Sequence, residues 1–267
     1  MDIVEVSKQQ AAGHQGLRHP WEQARLKAVR RLLKQAHPAG WAQASGSVLD
    51  VGSGDIFVAD ALGQAYPNKR LLSIDIAYTP EIIARFNAQK QSPNLQLYTS
   101  LQEAQAADSG PYNTILLLDV IEHVADDKAL LTELASAPQV PPGATMLITV
   151  PAYQSLFTQH DVFMKHYRRY TRDTLRASVE ATGQLEVVES GYFFTSLLLP
   201  RWLQYRKEQR GHKPNASGVS TWTGGPTKTS LLTGILATDF AVGRALRSLG
   251  LRLPGLSCYA LCRKTTA

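Results

Sequence analysis

The stretch QHDVFMKHYRRYTRDTL, Gln159 to Leu175, gathers two histidines, two aspartates, a lysine and three arginines, with aromatic residues between them. Histidine is the side chain best suited to move a proton near neutral pH. His160 and His166 are therefore base candidates, with Asp161 as a residue that orients one of them, and His123 upstream is a third. Arg168 and Arg169 carry the planar fork that grips a carboxylate or phosphate of a substrate. Tyr153, Phe157 and Tyr167 offer substrate-binding faces that exclude water and flank a cation. Each has a plain structural reading as well. Glu122 and His123 can hydrogen-bond the exposed end of a helix, the arginines can pair with surface acids, and Thr171 can cap a helix opening at TRDT. Nothing in the run fixes a ligand spacing, so no metal is expected.

A second chemical constellation lies earlier. SVLDVGSGD sets an apolar strand against a tight turn with Gly52 and Gly54, which let backbone approach a ligand closely. The next apolar strand, LLSID, ends in Asp75, placed to grip ribose hydroxyls. Its plain reading is a cap for the following helix. Together they point to a cofactor with a nucleoside. A dinucleotide fingerprint wants glycine where Phe57 stands, so the pyrophosphate cradle is poor, and a cofactor without phosphates fits better.

These residues need elements to position them. Residues 14–37 have helical spacing, with Trp21, Leu26, Val29, Leu32 and Leu33 able to share a face. Strand and helix patterns then alternate: SVLDV, the helix IFVADALGQAY, RLLSIDIA, the helix PEIIARFNAQ, NLQLYTS, then YNTILLLDVIEHV beginning as a fourth strand. A helix DDKALLTELASA, a fifth strand in PPGATMLITVP, a helix TLRASVEATG and a sixth strand LEVVESGYFF follow. This rhythm predicts parallel βαβ units, and near-continuous apolar strands predict a sheet covered on both faces. Residues 197–255 break the rhythm as a helical insertion with a mobile middle, KPNASGVSTWTGGPTK, before a last strand LSCYALCRK.

With 44% hydrophobic residues a sizeable core can form, and no run of eighteen apolar residues predicts a spanning helix. The first residues do not read as a secretion signal. Cys258 and Cys262 fall on one face of a strand, about 13 Å apart at strand rise, beyond disulfide reach. A reduced, cytoplasmic protein is expected. Thr195 to Ala267 holds eleven Lys/Arg against two Asp/Glu, so that part is near +9 and the rest near −3. Such asymmetry implies an anionic partner or a solvated surface.

The segments VLDVGSGD, LLSID, ILLLDVIEHVADD and PPGATMLITVPA resemble successive motifs of class I S-adenosylmethionine-dependent methyltransferases over roughly residues 46–195. The run HDVFMKHYRRYT and the closing PGLSCYALCRK are similar to a bacterial small-molecule and lipid-type subgroup. The resemblance implies a Rossmann-like α/β three-layer sandwich. Its seven-stranded sheet would be mostly parallel with an antiparallel last strand. The chain would be one methyltransferase domain: an N-terminal helical segment (1–45), a cofactor-binding core (46–195), a helical cap (196–254) and the last strand (255–264). S-adenosyl-L-methionine would be the cofactor and S-adenosyl-L-homocysteine its product. Asp50, Gly52, Ser53 and Gly54 would shape the methionine end, Asp75 would take the ribose, and Ile76 would lie near adenine. Thr99, Ser100 and Leu101 would line the adenine edge, and Asp119 the methionyl end. The usual third glycine of the loop falls at Ile56, a departure from the pattern.

Two function classes follow. One is methyl transfer to a small or amphiphilic acceptor at O, N or C, with a histidine base. The other is a non-catalytic S-adenosylmethionine-binding partner or sensor, kept open by Ile56. A nucleic-acid methyltransferase ranks third, since no nucleic-acid module is recognisable. The basic insertion, with LLLPRWLQYRK, allows peripheral contact at the inner membrane face.

Overall fold

The computed structural model describes residues 17–37, 40–41, 43, 45–211 and 222–266. His14 to Gly16 of the first predicted helix, residues 1–16 of the predicted N-terminal segment, and most of KPNASGVSTWTGGPTK lie outside the described residues.

Short apolar runs build the centre of the sheet. Strands β1 (Ser47–Val51) and β2 (Leu71–Ile74) are buried at every position, and β4 (Tyr112–Leu118) and β5 (Thr145–Pro151) at all but one each. With β3 (Leu95–Tyr98), β6 (Leu185–Phe193) and β7 (Ser257–Lys264) they form a seven-stranded sheet of order β3-β2-β1-β4-β5-β7-β6. The pairings β1–β2, β1–β4, β2–β3 and β4–β5 are parallel, and β7 runs antiparallel to both β5 and β6. The parallel strands are those the strand rhythm predicts, and the whole is the Rossmann-like arrangement with an antiparallel last strand that the resemblance implies.

Alternating side chains divide the core into two layers. Val48, Leu71, Leu116, Leu147 and Leu261 join α1 (Pro20–Ala36), α2 (Phe57–Ala65), α3 (Pro80–Gln89) and α9 (Pro226–Ser248) on one face. Leu49, Leu72, Ile115 and Ile148 face α4 (Leu101–Ala107), α5 (Asp127–Ser136) and α7 (Arg172–Glu180) on the other. Cys258 and Cys262 are both free, both buried and both in the second layer, as period two requires.

Local signals explain several starts. Proline opens α1 and α3, where its missing N–H costs nothing. Thr79 caps α3 by accepting from the Ile82 N–H, and Thr171 caps α7 by accepting from the Thr174 N–H. The fourth strand ends at Leu118 rather than running into VIEHV, because Asp119 turns the chain at φ +59°. Two helical pieces flank the remaining mouth of the sheet: α6 (Gln159–Phe163) and α8 (Leu198–Gln209). Among the described residues no helix is long and apolar enough to cross a membrane.

Candidate functional site

The carboxyl ends of β1, β2 and β4 meet where strand order reverses, the position at which open α/β sheets bind ligands. The turn after β1 is shaped by necessity. Gly52 has φ +67°, and a Cβ there would lie 2.7 Å from a methyl of Val120. Gly54 follows at φ +58°. Asp75, at the end of β2, accepts from the N–H of Gly54 at 3.0 Å and of Ala77 at 2.9 Å. The Tyr78 hydroxyl donates to the Gly54 carbonyl at 3.0 Å and lies 2.6 Å from Ser53 Oγ. The loop is thus closed from beneath before any ligand arrives. Ile56, where the resemblance expects glycine, adopts the same left-handed backbone (φ +59°) with its side chain 5% exposed in the core.

Backbone strain gathers at this edge. Among the described residues, five non-glycines have positive φ, and four of them, Ile56, Asp119, Tyr153 and Phe194, follow the ends of parallel strands. Each such position costs about 1–3 kcal/mol and is held only by its surroundings.

A cavity of 460 Å³ opens against the turn. That is within the range of about 300–1,000 Å³ typical of ligand pockets. Its wall includes Gly52, Asp75, Ile76, Thr99, Ser100, Leu101, Asp119 and also His123. The Ile76 side chain is 98% exposed at the rim. Thr99 donates through N–H and hydroxyl to Glu103, and Ser100 caps α4, so this wall is fixed by hydrogen bonds. A smaller recess of 30 Å³ lies beside it, lined by Asp50, Gly52 and Ser53 together with Glu22 and Arg25 of α1. Burial pushes the Asp50 carboxyl up to about 7, against the pull of the Arg25 charge.

Arg25 escaped the sequence reading. Its guanidinium is buried, pairs with Asp119 at 2.9 Å, and reaches Thr149 Oγ1 at 3.4 Å, while its Nε has no partner among the described residues. The signal was present: Arg25 interrupts the apolar stripe of Trp21, Val29 and Leu33. Tyr78 and Val120 also went unnoticed, because their roles arise only when β2 and β4 flank β1.

The HDVFMKHYRRY run folds differently from a simple cluster at the cavity. Asp161 is fully buried and serves as a hub. It accepts from Arg169 Nε at 2.7 Å, Arg201 Nη2 at 3.1 Å, the Thr158 N–H at 2.8 Å and His166 Nδ1 at 2.8 Å. Burial works against its charge, but the His166 hydrogen bond and the Arg169 charge outweigh it and hold the carboxyl well below the usual carboxylate range. Arg169 also donates to the Ala152 carbonyl, so its fork is committed inside the protein. Arg168 pairs with Asp127 at 3.0 Å. His160 is half-buried, and burial with the Arg201 charge lowers it to about 4. Tyr153 stacks on Tyr192 with ring centroids 5.2 Å apart, and Tyr167 is exposed. None of Tyr153, Phe157, Tyr167, His160, Asp161 or His166 is on the wall of the large cavity, whereas His123 is. His166 reaches that wall indirectly, its ring 4.6 Å from that of His123.

Comparison with known proteins places the fold. Curated protein sequences give no match. Among solved structures, a protein from Galdieria sulphuraria assigned as a sarcosine dimethylglycine methyltransferase superposes with a TM-score of 0.54 at 17% identity, over 92% of this chain and 86% of that one. The plantazolicin methyltransferase BamL, in complex with a triazolic desmethylPZN analog and SAH, gives 0.54 at 12%, over 91% and 86%. The [4+2]-cyclase SpnF gives 0.52 at 11%, over 90% and 82%. Likeness at these identities speaks to the fold, and the cyclase illustrates that a fold alone does not choose a reaction. The family model described as a methyltransferase domain matches residues 21–190, most of the chain and all of the glycine turn, Asp75 and Asp119, and the chain belongs to that family.

Proposed function

We propose that the protein transfers a methyl group from S-adenosylmethionine to a small or amphiphilic acceptor. The observation that carries this reading is the cavity at the ends of β1, β2 and β4, with Asp75 at its wall and a pre-closed glycine turn beside it. The residues fit the cofactor. Each Asp75 oxygen accepts one backbone N–H and keeps a lone pair for a ribose hydroxyl. Ile76 and Leu101 give apolar contact to a flat base, and no phosphate cradle is required. Arg25, with Asp50 and Asp119 around it, offers opposite charges to the carboxylate and ammonium of an amino-acid end.

S-adenosylmethionine supplies an electrophilic methyl group on a sulfonium. The protein's share is to hold the acceptor in line, keep water out and take up any proton the acceptor loses. His123 at the wall, backed by His166, is the group in position for that proton. His160 and Asp161 act behind them, and the subgroup run from His160 to Thr171 is the support on which His166 is mounted. Ile56 is no obstacle in this reading, since it takes the backbone conformation that the loop needs.

An amphiphilic acceptor is favoured by α8 and α9. They leave Leu199, Trp202, Leu203 and Leu231 exposed, with Arg206 stacked over Trp202. A basic, partly apolar surface suits a substrate with an apolar body and an anionic group, met at a membrane face.

Calorimetric titration tests the reading. S-adenosylmethionine and S-adenosylhomocysteine should bind in the micromolar range, about −8 kcal/mol, and NAD should not. Asp75→Ala should abolish the heat. Absence of binding by wild-type protein would leave a non-catalytic role unsupported as well, and the cofactor assignment would fall.

A further inference from the structure

Glu122 follows β4 by a few residues and is completely buried. Neither of its carboxylate oxygens has a hydrogen-bond partner among the described residues. A buried carboxyl with no donor has two stable states: it keeps a proton, or it ligates a cation.

The neighbours favour the cation. Glu122, His123 and His166 each present a ligand atom, and these atoms all lie within 4.8 Å of one another. The two imidazoles stand edge to face, at 4.6 Å and 78°, rather than stacked. Asp161 cannot donate while ionised, so the 2.8 Å contact to His166 Nδ1 requires the proton on that nitrogen. The Nε2 lone pair is then left for the other side of the ring. Arg169, Arg201 and the Thr158 N–H fix the Asp161 carboxylate, so it cannot swing to another partner. A carboxylate holding one histidine nitrogen while the other binds metal is the usual outer-shell arrangement of metal sites. The backbone pins the two segments together too, because the Tyr167 N–H donates to the Glu122 carbonyl at 2.7 Å.

We propose that Glu122, His123 and His166 bind one divalent transition-metal ion at the margin of the large cavity. Two imidazoles and one carboxylate suit a zinc-class ion better than magnesium or calcium, which prefer all-oxygen shells. Three protein ligands leave coordination positions for water or for an acceptor. Because His123 is also a cavity wall residue, the ion would sit beside the cavity. The inference deepens the methyl-transfer reading by selecting an acceptor with a metal-binding oxygen, whose proton the ion would make easier to lose, with His123 then holding the ion instead of taking that proton. The site itself does not depend on that reading.

Chelator-treated wild-type protein, Glu122→Gln and His166→Asn are titrated with Zn²⁺ by calorimetry and with Co²⁺ by visible absorption, all without S-adenosylmethionine. Melting of each metal-free variant is measured first. Glu122→Gln keeps the size and shape of the side chain and should stay folded. The wild type should take up one equivalent, with Co²⁺ bands of a nitrogen–oxygen site. Both variants should bind more than about 100-fold more weakly, beyond the range of about 10–100-fold typical of outer-shell changes. No saturable binding by the wild type would overturn the proposal and mark Glu122 as a protonated core residue. Equal binding by Glu122→Gln would overturn it too, placing the ion elsewhere. Cofactor titration of the same samples reports separately on the methyl-transfer reading.

Discussion

The two edges of the sheet solve the same geometric problem with different residues. Before β1, β4, β5 and β6 the chain needs left-handed turns, and it uses Gly46, Gly110, Gly143 and Gly183. After β1, β4, β5 and β6 it needs them again, and there it uses Ile56, Asp119, Tyr153 and Phe194 beside Gly52 and Gly54. Glycine adopts such a backbone without steric conflict, whereas other residues must be forced into it. The amino edge is therefore relaxed. The carboxyl edge is strained and crowded with buried ionisable groups: Asp50, Glu122, Asp161 and Arg25. Strained positions that recur on one edge belong to a site whose side chains matter more than local comfort.

That contrast can be broken by substitution. The largest effect is expected at Asp161→Ala, which would leave Arg169, Arg201 and His166 facing no carboxylate. Removal of one partner from a buried ion cluster costs about 3–5 kcal/mol, readable as a lower urea midpoint. A loss below about 1 kcal/mol would mean that the hub behaves like a surface pair. Next comes Ile56. Ile56→Ala should cost about 2–5 kcal/mol through lost core volume. Ile56→Gly, although it removes still more volume, should be the more stable of the two by about 1 kcal/mol, because it releases the left-handed strain. The reverse order would show that the position is not strained. The smallest effect belongs to the other edge. At Gly143 an added Cβ meets nothing within 4 Å, so Gly143→Ala should cost about 1 kcal/mol from backbone alone. S-adenosylmethionine affinity should be unchanged in that variant. A change in affinity would erase the distinction between edges.

What was legible in the sequence was whatever one strand or one turn decides. The buried strands were continuous apolar runs, Cys258 and Cys262 shared a face by period two, and Thr171 sat where a cap belongs. Gly52, Gly54 and Asp75 could be read together because the two strands that bear them are neighbours in the sheet. Contacts between distant segments were not legible. Arg25 meets Asp119 only because α1 crosses the sheet near the end of β4. His166 meets His123 only because the chain after β5 folds back over the turn after β4. The HDVFMKHYRRY run has the right residue types for an active site, yet spacing could not reveal that Asp161 and Arg169 would satisfy each other and leave His166 to face outward from them.

The placement of β7 has a consequence for how the molecule is made. This strand is the last of the seven in the chain, yet it lies between β5 and β6 and hydrogen-bonds both. While the chain emerges from a ribosome, β5 and β6 exist for the whole synthesis of α8 and α9 without the strand that joins them. Strand β5 is then the lateral edge of the sheet and presents an open side rich in apolar residues, a surface prone to mispairing. Parallel strands β1 to β5 can assemble first, but β6, and Phe194 after it, must wait. A nascent chain stalled within α9 would hold the glycine turn and Asp75 in place while β5 and β6 still lacked the strand between them, and it would be a natural client for a chaperone.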